Sequence, residues 1–239
     1  MKRTAIVTGA SSGIGEATCR SLVKNGYQVM MAARRTDRLE KVAAELGDAA
    51  AFHATDVANR DDLKALVAAT NERFGQTDIL INNAGVMPLS FFQASRVDEW
   101  EQMIDVNLKG VLYGIDAVLP QMVERRDGHI INISSVAGLN ARPSSGVYAA
   151  TKFGVRAISD GLRQEMTSQN VRVTVICPGG VKTELGDSIK DEAVREAAKT
   201  LFNFEFLEPE NIADAILYSL NQPPSVCVGE IVIRPTEQA

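Results

Sequence analysis

Histidine is nearly missing from this 239-residue sequence, which carries only His53 and His129, and cysteine is sparse, with Cys19, Cys177 and Cys227. The two histidines lie in different segments with no cysteine at ligand spacing, so no metal site is expected. Three widely spaced cysteines make no disulfide framework and point to free thiols in a reducing compartment. An excess of positive charge is missing too. Lys and Arg number 25 against 30 Asp and Glu, for a net charge of −5. Arg34-Arg35 and Arg125-Arg126 are isolated pairs rather than a polybasic tract, so nucleic acid is not an expected partner. No apolar run approaches about 18 residues, and no membrane span is expected. The first apolar stretch ends at Gly9, lacking the length and cleavage site of a secretory leader, and the expected location is the cytoplasm. Repeats, linkers and low-complexity segments are also absent. With 45% hydrophobic and 23% charged residues, the chain suits one globular domain over 1–239.

What is present is an alternation of short β-branched runs with longer stretches of helical period. Strands are predicted at 4–8, 27–33, 50–55, 78–81, 129–134, 171–177 and 230–234. Helices are predicted from the glycine-rich turn to about Gly26, and at 37–46, 61–74, 97–126, 147–168 and 211–220. Strands apolar on both faces and separated by helices indicate a parallel sheet covered on both sides. Right-handed crossovers then favour a doubly wound topology. The expected fold is α/β, a single-domain doubly wound Rossmann fold with a mostly parallel seven-stranded sheet and helices on both faces. The stretch 184–207 has no strand period and is a candidate substrate lid.

Directly after the first strand stands Thr8-Gly9-Ala10-Ser11-Ser12-Gly13-Ile14-Gly15. Glycines permit a tight turn and close approach of a pyrophosphate, whose charge meets the N–H groups and dipole of the next helix. Ser11 and Ser12 add hydroxyl donors. No Lys-Ser/Thr follows the last glycine, so the turn is not a P-loop. An NAD site would place a carboxylate near the end of the second strand, to bond the adenine ribose. Arg34 and Arg35 stand there instead, and a guanidinium pairs with the 2′-phosphate of NADP(H). NADP(H) is therefore the expected cofactor.

Tyr148 and Lys152 are spaced i and i+4, on one helix face. A free tyrosine has a pKa of about 10, and a nearby ammonium is expected to lower it toward use as an acid or base. Tyr-x-x-x-Lys alone is common on helix surfaces. Ser135, just past the fifth strand, adds a hydroxyl at the carboxyl end of the sheet, where substrates bind.

Together with Thr8–Gly15, Asn82-Asn83-Ala84-Gly85, Asn107 and Pro178-Gly179, these residues make the chain resemble the short-chain dehydrogenase/reductase family over essentially its whole length. The resemblance implies that Tyr148 is the general acid in carbonyl reduction and the base in alcohol oxidation. Lys152 would lower its pKa and bond the nicotinamide ribose, Ser135 would orient the substrate oxygen, and Asn107 would hold a water linking Lys152 to solvent. It also implies cofactor contacts from Gly9, Ser11, Ser12, Gly13, Ile14, Gly15, Asp56, Val57, Asn83, Ala84, Gly85, Pro178, Gly179, Val181 and Thr183. A homotetramer or homodimer is implied as well.

Substrate choice is expected in 87–95, 139–147 and 184–207. The apolar candidates are Met87, Leu89, Phe91, Phe92, Leu139, Leu185, Phe202, Phe204 and Phe206. Arg142 and Lys182 are candidates for binding a carboxylate. The run from Gly229 to Gln238 resembles the branch holding NADP-dependent 3-hydroxy-acid and serine dehydrogenases and the clavulanate-pathway reductase, and implies a small polar carbonyl or hydroxy acid. Two alternatives stay open: a 3-oxoacyl-carrier-protein reductase-like enzyme, and a non-catalytic NADP(H)-sensing regulator on the same fold.

Overall fold

The computed structural model describes residues 2–201 and 204–238. Seven strands form one sheet: β1 (Thr4–Thr8), β2 (Gln28–Ala33), β3 (Ala50–Ala54), β4 (Ile79–Asn82), β5 (Gly128–Ile133), β6 (Val171–Pro178) and β7 (Glu230–Ile233). Their order is β3-β2-β1-β4-β5-β6-β7, and every ladder is parallel. The helices are α1 (Gly13–Lys24), α2 (Thr36–Leu46), α3 (Arg60–Phe74), α4 (Val97–Ile104), α5 (Gly110–Arg125), α6 (Gly146–Met166), α7 (Glu192–Leu201) and α8 (Pro209–Leu220). The chain is a single-domain Rossmann-like fold with helices on both faces of the sheet.

Why the strands read as continuous apolar runs is visible in the register. Met30, Ile6, Leu80, Ile130 and Val173 form one row across five strands and face one core. Leu63 and Leu66 of α3, Val111, Ile115 and Val118 of α5, and Val155 of α6 pack against that row. One residue along, Met31, Val7, Ile81 and Ile131 face the opposite core, closed by Cys19 and Leu22 of α1, Leu39 of α2, and Ile212 and Ile216 of α8. Successive side chains point to opposite faces, so a strand buried on both sides must be apolar at every position. The edge strands β3 and β7 alternate in exposure.

Two local expectations change. The helix predicted over 97–126 is interrupted by a π-helical turn at Asp105–Lys109 between α4 and α5. A π-turn admits one extra residue per turn, and here it carries Asn107, whose amide bonds the Val86 backbone in both directions, at 2.8 and 2.9 Å. The stretch 184–207, expected only to lack strand period, is largely helical. It opens with a short 3-10 turn, Glu184–Ser188, and continues into α7. Ile189 and Val194 pack in a third cluster with Leu89, Met103 and Tyr148. Phe202 lies outside the described residues.

One buried titratable group in β5 gives the fold a measurable signature. His129 is fully buried, with Nε2 at 2.8 Å from Thr174 Oγ1. Thr174 donates its own proton to the Val228 carbonyl, so the imidazole must donate from Nε2. Nδ1 is then the bare nitrogen, and it meets no donor among the described residues. Burial pushes the His129 pKa down to about 3. With the folded pKa below the unfolded one, the unfolded chain gains a proton that the folded chain refuses, and stability falls as pH drops from about 6.5. The expected loss from this group is about 1.4 kcal/mol per pH unit between pH 6 and 4. Urea unfolding of the wild type and His129→Gln over that range checks it: the variant should have the shallower pH slope, and equal slopes would exclude a neutral buried imidazole.

Candidate active site

The strand order reverses direction between β1 and β4, and loops leaving these neighbours diverge to opposite faces of the sheet. At this point, beyond the carboxyl ends of the strands, lies a cleft of about 480 Å³. It runs from Arg34, Arg35, Asp56 and Val57, past the glycine turn and Asn83-Ala84-Gly85, to Ser135, Tyr148, Lys152 and the segment Pro178–Thr183. Of the residues expected to be catalytic or to contact cofactor, all but Gly15 and Asn107 line it; of the substrate candidates, Leu185 does.

Gly15 belongs to the turn's foundation rather than to the cleft wall. A Cβ there would collide with the Gly9 carbonyl and the Asn83 side chain. Gly9 and Gly13 have positive φ, 65° and 54°, in the region that disfavours side chains. A Cβ on Gly13 would meet Thr183 Cγ2 at 2.9 Å, and one on Gly9 would meet Ala84 Cα at 2.8 Å. The turn is thus clamped between the ends of β4 and β6. Thr8 Oγ1 accepts the backbone N–H groups of Asn83 and Ala84 at 3.0 and 3.1 Å, and Asn83 Nδ2 donates to the Thr8 carbonyl at 2.9 Å. This arrangement fits a dinucleotide: the backbone is bare where a pyrophosphate must approach, and α1 begins at Gly13 with its N-terminus on the cleft.

The two arginines after β2 differ. Arg34 is exposed on the cleft rim and has no ion-pair partner among the described residues. Arg35 is fully engaged, donating to Ser11 Oγ at 3.1 Å, Ser12 Oγ at 2.8 Å and Glu184 Oε2 at 2.8 Å. Glu184 also pairs with Arg38 at 2.7 Å, and the two guanidinium groups hold its carboxyl down at about 2. Neither Glu184 nor Arg38 stands out in the sequence.

At the other end of the cleft, Tyr148 and Lys152 project from α6, both buried. Lys152 Nζ donates to the Ile133 carbonyl at 2.9 Å and lies 5.7 Å from the Tyr148 ring centroid. Burial raises the Tyr148 pKa to about 12, against a lowering hydrogen bond with Ser135, and burial brings Lys152 down to about 8. The expected lowering of the phenol by the ammonium is therefore not seen in the protein alone. Tyr148 packs among Leu89, Met103, Ile189 and Val194, and loss of hydration outweighs an ammonium that is already bonded to a carbonyl. Ser135 Oγ accepts the Ala137 N–H at 3.0 Å, which fixes the hydroxyl at the end of β5.

Polar ties in the core set the pose of α6. Asn82 Nδ2 donates to Asn132 Oδ1 at 2.9 Å, Asn132 Nδ2 donates to Ser159 Oγ at 2.8 Å, and Ser159 donates to the Val155 carbonyl. Ser134 Oγ donates to the Lys152 carbonyl at 2.9 Å. Asn107 Nδ2 reaches Thr151 Oγ1 at 3.3 Å. Sequence reading passed over Ser159 because a serine within a helix gives no sign of what lies beneath it. Lys182, a carboxylate candidate, is paired with Glu208 at 3.0 Å. Met87, Leu89 and Phe91 join the Tyr148 cluster, Leu185 lines the cleft, and Phe92 packs on Trp100 at the surface. Phe204 and Phe206 lie together over Gly180.

Known proteins resemble the chain over nearly its whole length. An oxidoreductase of Staphylococcus saprophyticus, itself uncharacterized, is 48% identical, over 99% of this chain and 97% of its own. The closed form of a serine dehydrogenase complexed with NADP+ superposes with a TM-score of 0.93 at 37% identity, covering 99% of this chain and 96% of the other. A 3-ketoacyl-(acyl-carrier-protein) reductase from Brucella melitensis complexed with NADH gives 0.89 at 27% identity, covering 99% and 98%. No helix among the described residues is long and apolar enough to cross a membrane. The family model for short chain dehydrogenases matches residues 3–193, and with the glycine turn, the switch-point cleft and Ser135, Tyr148 and Lys152 on its wall, the chain belongs to the short-chain dehydrogenase/reductase oxidoreductases.

Proposed function

We propose that the protein is an NADP(H)-dependent enzyme that interconverts a carbonyl compound and an alcohol, with Tyr148 as the proton donor and acceptor. The observation that carries the proposal is that Ser135, Tyr148 and Lys152 line one cleft, with Lys152 one helical turn from Tyr148. A regulator that only sensed a dinucleotide would have no use for a buried phenol and ammonium beside a hydroxyl on one cleft wall.

The cofactor, when bound, supplies or accepts the hydride. The chain's own residues bind, orient and move the proton. Ser135 holds the substrate oxygen beside the Tyr148 hydroxyl. Tyr148 is protonated at neutral pH and gives its proton to the developing alkoxide in reduction. Lys152 keeps its charge beside the phenolate left behind and would hold the nicotinamide ribose. Asn107 braces the Val86 backbone and Thr151, one residue before Lys152, and its proposed part is to hold that end of the proton path in place.

Preference for NADP(H) rests on Arg34, because the neighbouring structures hold NADP+ in one case and NADH in another, and the fold itself does not choose. A small polar hydroxy acid or its carbonyl partner is supported by the likeness to the serine dehydrogenase. The ketoacyl reductase reading has support from the Brucella structure. A spectrophotometric screen of aldehydes, ketones, hydroxy acids and acyl thioesters with both cofactors separates the two.

Three outcomes are expected. Tyr148→Phe should bind NADPH with nearly unchanged affinity, by fluorescence titration, while kcat for carbonyl reduction falls by about a hundredfold or more. Normal turnover would sink the mechanism. Arg34→Ala should weaken NADPH binding by about tenfold and NADH binding much less, and equal losses would remove the 2′-phosphate argument. Since Lys152 titrates near 8 and its ammonium is the useful form, kcat/KM for reduction should decline as pH rises through about 8. A profile flat to alkaline pH would take the Lys152 proton out of the mechanism.

A further inference from the structure

The adenosine end of the cleft contains an anion supplied by the protein itself. Glu184 sits in the turn that follows β6, yet its carboxylate reaches across the cleft mouth to the start of α2. One oxygen takes Arg35 at 2.8 Å and the other takes Arg38 at 2.7 Å. These pairs are a little under half exposed. Of the three arginines at the start of α2, two share one carboxylate, which offsets one of their two charges, and Arg34 alone has no ion-pair partner among the described residues.

We propose that Glu184 is a specificity-determining residue of the cofactor site, an internal competitor that occupies the arginines a 2′-phosphate would use and so limits the preference for NADP(H) over NAD(H). The inference rests on the NADP(H) reading above and adds to it the residue that sets its strength. The geometry of Arg35 carries the argument. Its Nε and Nη2 are bonded to Ser11 and Ser12, and its Nη1 to Glu184. A phosphate that pairs bidentately through Nε and Nη2 displaces two neutral hydroxyls. One that pairs through Nη1 displaces the carboxylate. In the first pose a doubly charged group and Glu184 share one guanidinium, at a separation inside the Debye length of about 8 Å, and in the second the phosphate must break the Arg35–Glu184 pair. Glu184 remains ionised throughout the neutral range, so the repulsion does not relax near neutrality. Cofactor lacking the phosphate meets no such opposition.

The test uses two probes that differ only in the 2′-phosphate, 2′,5′-ADP and 5′-AMP, titrated calorimetrically into the whole protein and into Glu184→Gln. The glutamine keeps the size and polarity of the side chain and removes its charge. The expected result is that 2′,5′-ADP binds the variant about fivefold more tightly, the scale of one or two exposed ion pairs, while 5′-AMP is unchanged. The gain should shrink as salt is raised. If Glu184→Gln weakens 2′,5′-ADP or leaves it unchanged while the wild type prefers it over 5′-AMP, Glu184 only braces Arg35; the competitor idea fails and the NADP(H) reading stands. Equal gains for both probes would also overturn the idea, because the carboxylate would then act on any anion. If the wild type shows no preference for 2′,5′-ADP, the NADP(H) reading itself falls and takes this inference with it.

Discussion

The end of β1 and the end of β4 are held together by a contact that only backbone and small side chains can make. Thr8 Oγ1 receives two N–H groups from β4's extension, and Asn83 returns a bond to the Thr8 carbonyl. Gly9 and Gly15 fill the remaining space with no side chain at all. Because these strands are neighbours at the switch point, this closeness decides where α1 starts and therefore where its N–H groups point. It also places Ala84 and Gly85 against the same cleft that Lys152 enters from the other side. A side chain inserted at Gly9 or Gly15 would push the strand ends apart and move the glycine turn away from the Tyr148 end of the cleft.

Burial at the far end of the cleft creates a second constraint. Tyr148 and Lys152 are both withdrawn from water, and both pKa values move toward the neutral form. For the phenol this strengthens its hold on a proton; for the amine it brings loss of charge close to neutrality. Under the proposed function, a phenol that holds its proton suits the direction in which Tyr148 would donate one.

Much of this was legible in the sequence, for reasons that differ by residue. Ile6, Val7, Leu80 and Ile81 sit in strands buried on both faces, so apolar runs located the sheet without knowledge of its partners. The turn from Gly9 to Gly15 was legible because its backbone conformations exclude other residues. Tyr148 and Lys152 meant little as a spacing and much once Ser135 and the turn were set beside them. Other features had no local signal. Glu184 and Arg35 are separated by 149 positions, and no periodicity reports a contact of that kind. The π-turn around Asn107 looks like ordinary helix by hydrophobic period, because its cause is a bond to Val86 in another segment. The direction of the Tyr148 shift depends on the summed packing of residues such as Met103 and Val194, which charge counting along one helix leaves out.

The chain of bonds from Asn82 through Asn132 to Ser159 has a consequence for how such a molecule can change. It lies within β4, β5 and α6, the elements that carry or adjoin the proton-transfer groups, and it is sealed in the core. The segments expected to choose a substrate, around Met87, Leu139 and Leu185, are connecting segments with no part in that chain of bonds. The molecule thus separates into a frame that tolerates little replacement and a border that can be exchanged piecemeal. New substrates can be acquired by rewriting the border alone, and a laboratory library confined to it would vary recognition while the reaction stays the same.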